Sequence, residues 1–358
     1  MKRILVSFLA IAALVGCSKA DITYDDHLQE IGFTPYSKKS VKSAVTTTDY
    51  PNSLNMYVFA QAGAADAEDV TTYNEPYFKN AEFNDKSTNQ ADGIFSGTAQ
   101  PYYWPNVKRL IFSGVSASGN VNNGVTPTYA KNATTNAWEI TLNGYEPGTG
   151  TTKLGDNDLM WFPTTASYSK DDIIGTGKPG HVDVTMQHAC SWITINIKGD
   201  AITGNSNTAW EIVNLTINNV ANSAKAVLGT TATWSDLTDV NNVTVFNNSE
   251  GRALTYSNTT GFVGEDYTQI NIKDLILIPQ ATKTLTLTYQ YVSQKGTNGA
   301  ADIVITEVKN VPLTYINDEG WKPGAHYIYN ITIGTSEILI EPTVSVWTPE
   351  TTTGITVN

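Results

Sequence analysis

Apolar and polar side chains alternate along most of this chain. Successive residues of a β-strand point to opposite faces of a sheet, so alternation predicts strands with one buried face and one face in water. The pattern is clearest in the segments 138–142, 193–197, 213–217, 285–291 and 327–333. No long segment repeats apolar residues at the spacing of a helix face. The sequence therefore predicts an all-β protein.

Turn signals separate these segments and favour antiparallel β-sandwiches. They include Asn143-Gly144, Pro147-Gly148, Pro179-Gly180 and Pro323-Gly324. The Gly- and Pro-rich segment 175–180 is the predicted boundary between two sandwich domains, which would span 49–180 and 181–358. Two domains agree with a chain of 358 residues, since a domain usually holds about 100–200 residues.

The first residues have the three parts of a bacterial secretion signal. Lys2 and Arg3 precede an apolar run that is too short for a stable membrane anchor. The run ends in Leu14-Val15-Gly16-Cys17, which resembles a lipobox, the motif whose cysteine is lipidated and becomes the first mature residue. We therefore predict a signal peptide over 1–16 and lipidation at Cys17. The alternative is an ordinary cleaved signal with an incidental cysteine.

The chain is acidic, which argues against nucleic acid as a partner. Its formal net charge is −12, and removal of segment 1–16, which holds Lys2 and Arg3 and no acid, would change it to −14. Phosphate backbones repel such a chain, and we interpret the charge as promoting solubility. The sequence holds only two cysteines. If Cys17 carries lipid, no second cysteine is left to form a disulfide with Cys190, and no intrachain disulfide is expected.

Motifs for catalysis or for a bound cofactor are weak. Gly175, Gly177 and Gly180 have the spacing of a dinucleotide fingerprint, but the strand-like segment after them does not fit the helix that this motif requires. His188 and Cys190 would share a strand face, yet a zinc site needs further ligands. We therefore predict no metal, no cofactor and no enzymatic activity.

Short motifs along the chain make it resemble the fimbrillin-like family, whose members are subunits of type V pili on Gram-negative anaerobes. Each motif is weak alone, and their order and spacing carry the resemblance. After the lipobox they are EIGF (30–33), LNMYVFA (54–60), YYWP (102–105), DLMW (158–161), HACSWI (188–193), LILIPQ (275–280), WKPGAHYIY (321–329) and VSVW (344–347). The resemblance implies two transthyretin-like, Greek-key β-sandwiches in tandem.

The resemblance also implies a route of assembly. Family members reach the surface as lipoproteins, a trypsin-like protease removes an N-terminal strand, and the exposed groove accepts a strand of a neighbouring subunit. On this basis segment 17–48 would hold a plug strand, with Ile31, Phe33 and Pro35 on one face, and a cleavage loop. The candidate processing residues are Lys38, Lys39 and Lys42.

The chain departs here from the best-known members, which are cut after arginine. No arginine lies between Cys17 and Arg109, so either a protease that accepts lysine acts or the subunit is not processed. An unprocessed subunit would be a cap or an anchor and not a shaft unit.

The C-terminal region carries a candidate donor strand. Four of its apolar residues share one parity, namely Ile338, Ile340, Val344 and Val346. This segment would enter the groove of a neighbouring subunit, or it is simply the last core strand of the second domain.

Together these features predict a structural or accessory subunit of surface fimbriae, assembled by strand exchange and acting in cell adhesion. Its partners would be other pilin subunits, outer-membrane lipid through Cys17, and a host glycan or protein. It would lie on the outer membrane, in a fimbrium. The alternative is a monomeric surface lipoprotein that binds glycans on exposed tyrosine and tryptophan side chains.

Overall fold

The computed structural model describes residues 29–37, 55–66, 69–85, 94–117, 128–131, 138–145, 159–174, 180–199, 209–254, 275–293, 301–314, 320–334 and 338–346. Their secondary structure is almost entirely β-strand, so the all-β prediction is confirmed. The described residues contain no helix long and apolar enough to cross a lipid bilayer. The elements are β1 Gly32–Ser37, β2 Asn55–Ala64, a 3-10 helix Val70–Thr72, β3 Glu75–Asp85, β4 Phe95–Gly97, β5 Lys108–Ala117, β6 Thr128–Lys131, β7 Trp138–Leu142, β8 Leu159–Phe162, α1 Lys170–Ile174, β9 His181–His188, β10 Ser191–Gly199, β11 Ala209–Leu228, β12 Ala232–Leu254, β13 Leu275–Leu277, β14 Thr284–Ser293, β15 Ile303–Pro312, β16 Ala325–Ile333 and β17 Ile338–Val346.

Seven strands close into a barrel in the order β1-β4-β3-β2-β5-β8-β9. Neighbours in the barrel pair antiparallel except β1 and β9, which run parallel. Alternation along each strand sends every second side chain inward. On β2, Met56, Val58 and Ala60 lie in the barrel core, whereas Tyr57 packs on the outside. The inside of the barrel is thus filled by apolar side chains.

The C-terminal half is a sandwich of two sheets. One sheet has four strands in the order β13-β10-β16-β17, with β10 and β16 parallel. The other has the order β15-β14-β11-β7-β6, and β12 pairs with β11. Because residues 210–217 of β11 pair with both β12 and β14, these two strands lie on opposite edges of β11. Side chains from both sheets share one core, for example Ile195 of β10 and Leu215 of β11.

One detail of the predicted fold needs correction. The N-terminal half is a closed barrel and not an antiparallel sandwich, because β1 bridges β4 and β9. β9 begins at His181, just after the predicted domain boundary, and pairs with β1 and β8 of the barrel; the division into two domains stays a prediction. The hairpin β6–β7 in turn pairs with β11 of the sandwich. Alternation indicates which face of a strand is buried, but not which strand lies beside it.

A buried apolar cluster joins the barrel to the sandwich. Trp161 of β8 and Ile140 of β7 both belong to it, and Cys190, between β9 and β10, is fully buried within it. Trp234 Nε1 of β12 donates a hydrogen bond of 2.7 Å to the carbonyl oxygen of Ala189 in the same connection. The two halves therefore share a packed apolar interface.

Candidate assembly site

β1 fills a gap between β4 and β9 in the barrel wall. It pairs in parallel with β9 over six residues, from Gly32↔His181 to Ser37↔Met186. On its other side it pairs with β4 only at Gly32 and Phe33. We term the space between β4 and β9 the β1 slot. Without β1, both of these neighbours would have an unpaired backbone edge.

Phe33 is the largest apolar side chain of β1. It is fully buried, and its ring centroid lies 4.9 Å from that of Phe83 and 5.2 Å from that of Phe112, both edge-to-face. Ile31 is also fully buried, and Pro35 is buried. All three residues of the predicted plug strand therefore have side chains that are shielded from water.

Backbone hydrogen bonds hold the residues that precede β1. The Ile31 N–H donates to the carbonyl oxygen of Tyr102 at 2.7 Å, and the Trp104 N–H donates to that of Gln29 at 2.9 Å. These contacts give a physical role to segment 102–105, one of the family motifs of the sequence. The segment forms backbone hydrogen bonds with Gln29 and Ile31, directly before β1.

Gly180 allows a close backbone approach at the same point. Gly180 has a φ of +84°, and a Cβ atom there would clash with the carbonyl oxygen of Glu30. The Gly180 carbonyl accepts hydrogen bonds from the Gly32 N–H at 3.1 Å and from Trp104 Nε1 at 3.0 Å. The Pro179-Gly180 turn, which we interpreted as part of a linker, therefore forms one end of the β1 slot.

One polar side chain of β1 is poorly accommodated. Thr34 is fully buried, and its Oγ1 has no hydrogen-bond partner among the described residues. A buried hydroxyl left without a partner costs about 1–3 kcal/mol. This cost offsets part of the free energy that Ile31 and Phe33 contribute to holding the strand.

The predicted lipidation and processing residues, Cys17, Lys38, Lys39 and Lys42, lie outside the described residues. Their roles stay predictions. In sequence, the first of the lysines follows directly on Ser37, the last residue of β1.

β17 is an edge strand of the four-stranded sheet. It pairs antiparallel with β16 over residues 338–346. Ile338, Ile340 and Val344 are partly buried and pack against the sandwich core, while the side chain of Val346 lies outside the description. The candidate donor segment is thus the last strand of its own sandwich in this structure, and its transfer to a neighbour stays a prediction.

A histidine on β16 lies between β17 on one side and β10 on the other. His326 of β16 is the register partner of Ser345 on β17 and of Trp192 on β10. Its ring stacks on Trp192 with centroids 3.5 Å apart, and Thr194 Oγ1 lies 2.9 Å from its Nε2. Burial lowers the pKa of His326 from 6.5 to about 4. The ring is therefore uncharged at neutral pH, and protonation would place a charge beside β17.

Other candidate chemistry is not assembled in the described residues. No group of three or more His, Cys, Asp or Glu side chains there could hold a metal ion. Of the aromatic rings whose exposure is described, only that of Tyr77 is more than a third exposed, and its hydroxyl donates to the carbonyl oxygen of Tyr103 at 2.6 Å. A cluster of exposed rings, which would favour glycan binding, does not occur on this part of the surface.

Comparison with known proteins gives a consistent result. A family model described as fimbrillin-like matches residues 43–347. A fimbrial protein from Bacteroides vulgatus ATCC 8482 is similar in structure, with a TM-score of 0.60 and 17% identity over 89% of this chain and 100% of that chain. A Bacteroides ovatus ATCC 8483 protein provisionally assigned to cell adhesion has a TM-score of 0.50 and 11% identity over 90% and 99%. The TM-scores indicate a shared fold, and at such low identities the two structures show nothing beyond it. Comparison with curated proteins gave no match.

Proposed function

Because the chain belongs to the fimbrillin-like family, we propose that it is a subunit of a surface fimbria, assembled by strand exchange and acting in cell adhesion. The observation that carries the proposal is the position of β1. This strand alone bridges β4 and β9 in the closed barrel. Its loss would expose unpaired backbone on both sides of the β1 slot, together with apolar core, and such edges pair readily with a new strand.

Strand addition is the physical basis of the proposed assembly. β9 would offer an incoming strand the backbone of six residues that it now offers to β1. The pockets of Ile31 and Phe33 would take alternate side chains of the donor. The β1 slot would be free only after β1 has left, so β1 would prevent premature association of the precursor.

β17 is the proposed donor. Residues 31–35 have the sequence Ile-Gly-Phe-Thr-Pro, and residues 338–342 have the sequence Ile-Leu-Ile-Glu-Pro. Both place two apolar residues and a proline at alternate positions, so the prolines would coincide when Ile340 enters the Phe33 pocket. As an edge strand, β17 leaves its own sheet by breaking a single ladder.

Truncation and loss of the lysines test the proposal on the purified mature chain. After limited trypsin treatment, the wild type should form filaments in negative-stain electron micrographs. No filaments are expected when the chain ends before Ser336 or when Lys38, Lys39 and Lys42 are all replaced by Gln. Exposed Lys79 provides the control, since Lys79→Gln should not affect polymerisation. Filaments from both altered chains would contradict strand exchange, and a wild type without filaments would favour a cap or an anchor.

We further propose that Cys17 anchors the protein to outer-membrane lipid. Cys17→Ala should abolish incorporation of a radiolabelled fatty acid and release the chain from the membrane fraction. Cys190→Ala is the matched control, because Cys190 is buried and its loss should leave labelling unchanged. Labelling that persists in Cys17→Ala would refute the anchor.

A further inference from the structure

One edge strand of the sandwich exposes much apolar surface. β15 is the last strand of its sheet, and within the described residues it pairs only with β14. Four of the eight exposed large hydrophobic residues of the described chain lie on it, and their exposed fractions are 47–61%. These are Ile303, Val304, Ile305 and Val308. A long apolar edge strand is a template for pairing with another strand.

The opposite edge of the same sheet has a different construction. β12 pairs with β11 through several register shifts, and Asp236 and Asp239 have positive φ angles of 53° and 52°. Its residues 235–242 are exposed and mostly polar. Bulges protect an edge against pairing, because they bend and twist the strand. β15 lacks such protection in its backbone, because it pairs with β14 over ten residues without a bulge.

We propose that β15 pairs with β15 of a second copy of this chain, antiparallel about a two-fold axis at Val308. In this register Val308 faces its own copy, Ile305 faces Val311, and Glu307 faces Lys309 on both sides of the axis. Opposite charges directly across a strand pair are stabilising and like charges are destabilising. The side chains of Glu307 and Lys309 are 45% and 52% exposed, so both are accessible to a partner.

The charge pattern selects this register among the symmetric ones. Every second residue points its backbone groups to the free edge, so the axis of a symmetric antiparallel pair passes through a residue. An axis at 307 would set Glu307 against Glu307, and one at 309 would set Lys309 against Lys309. An axis at 306 would set Glu307 against Ile305. Of these four positions, only the axis at 308 pairs opposite charges.

The proposed pairing would join two sandwiches edge to edge. It would satisfy the outward backbone groups of β15 and remove Ile305 and Val308 from water. An interface of one strand from each chain is small, so we expect weak association that depends on protein concentration. The proposal is independent of strand exchange, because it concerns neither β1 nor β17.

Charge exchange tests the pairing on the purified chain. Glu307→Lys gives a strand with two lysines, and Lys309→Glu gives one with two glutamates. Each variant alone should associate about tenfold more weakly than the wild type in sedimentation equilibrium. An equimolar mixture should regain wild-type association, because every lysine at these positions then faces a glutamate.

The mixture also separates association from effects inside one chain. Glu307 and Lys309 form an intrachain ion pair with an N–O distance of 3.0 Å, and both variants lack it. Loss of that pair therefore cannot account for recovery on mixing. A wild type that stays monomeric at every concentration overturns the proposal, as does a mixture that associates no better than either variant.

Cysteine cross-linking gives a second measurement. Val308→Cys would place two thiols across the axis, so a short bifunctional maleimide should give a covalent dimer. Val240→Cys on β12 is the matched control, since Val240 is 53% exposed and Val308 is 61% exposed, and it should give no such dimer. Buried Cys190 is common to both variants. Equal yields from the two variants, or no dimer from Val308→Cys, would overturn the proposal.

Discussion

β1 and β17 are the two strands proposed to leave their sheets, but neighbouring strands hold them differently. β1 has a partner strand on each side, and Ile31 and Phe33 are fully buried. Within the described residues β17 pairs with β16 alone, and Ile338 and Ile340 are partly buried. The strand proposed to leave is therefore held more firmly than the strand proposed to replace it.

This difference in how firmly β1 and β17 are held suggests why proteolysis would control assembly. While β1 is joined to the barrel by the chain, its effective concentration at the β1 slot is high, and a donor from another molecule competes poorly. A cut after β1 would turn it into a separable ligand. The buried hydroxyl of Thr34 has no hydrogen-bond partner among the described residues, which would then favour replacement of β1 by a longer donor.

The largest expected effect is at Phe33. Phe33→Ala should lower the free energy of unfolding by about 3–5 kcal/mol, because it removes a buried ring that contacts Phe83 and Phe112. Urea denaturation followed by tryptophan fluorescence measures the change. Phe246→Ala on β12 is the control and should cost clearly less, since that ring is only partly buried. A loss below about 1 kcal/mol, the size of a typical substitution, would contradict tight packing of β1.

A smaller effect is expected at the end of the β1 slot. Gly180→Ala should destabilise the chain by about 2–3 kcal/mol, because its φ is +84° and the new Cβ would meet the carbonyl oxygen of Glu30. Thermal unfolding followed by circular dichroism gives the value. Gly229→Ala is the matched control, since the nearest atom to its Cβ lies 3.7 Å away. Equal melting temperatures for the two variants would show that Gly180 is not needed to form the slot.

The sandwich should respond to acid through His326. Its folded pKa of about 4 lies below the ordinary 6.5, so between these values the unfolded chain binds more protons. Stability should therefore be full above pH 6.5 and fall as the pH drops towards 4. The shift corresponds to ~3 kcal/mol, and partial exposure reduces the expected loss to about 2 kcal/mol.

Chemical denaturation at pH 7 and pH 4 measures this loss, with His326→Gln as the comparison. The variant cannot take up the proton, so its stability should depend less on pH by about 2 kcal/mol. A pH dependence identical to that of the wild type would show that another group is responsible. If the backbone amides of β17 lose protection from hydrogen exchange at pH 4 while those of β1 keep it, the result would support the weaker hold on β17.

The sequence predicted the faces of the strands better than their partners. Alternation identified the segments that became β7, β10, β14 and β16, and it grouped Ile31 with Phe33, both of which are buried. It could not indicate that β1 runs parallel to β9 and closes a barrel. A period of two indicates the face of the sheet on which each side chain lies. Which strands lie next to each other is determined by contacts between residues far apart in sequence.

The same limit explains Gly180. A Pro-Gly pair followed by a strand is as typical of a linker as of a tight turn. The requirement for glycine becomes apparent only when Glu30 is placed against it in the fold. The apolar run at 303–305 likewise resembles a buried strand in sequence, although β15 is exposed at a sheet edge.

The smallest expected effect is on β17, the less firmly held of the two strands. Ile340→Ala should cost about 1 kcal/mol of unfolding free energy, because a partly buried side chain loses less than the 2–5 kcal/mol of a fully buried one. Val107→Ala, at a residue that is 73% exposed, is the control and should be nearly neutral. Urea denaturation under the conditions used for Phe33→Ala gives both values.

The same variant should be impaired more as a donor than as a folded protein. In the proposed alignment Ile340 enters the Phe33 pocket, where truncation would leave a cavity in a fully buried site. Ile340→Ala subunits should therefore add to trypsin-treated wild-type chains more slowly than Val107→Ala subunits, as measured by light scattering. If Ile340→Ala instead cost as much stability as Phe33→Ala and added at the wild-type rate, β17 would be a firmly held core strand, and the donor would have to lie elsewhere in the chain.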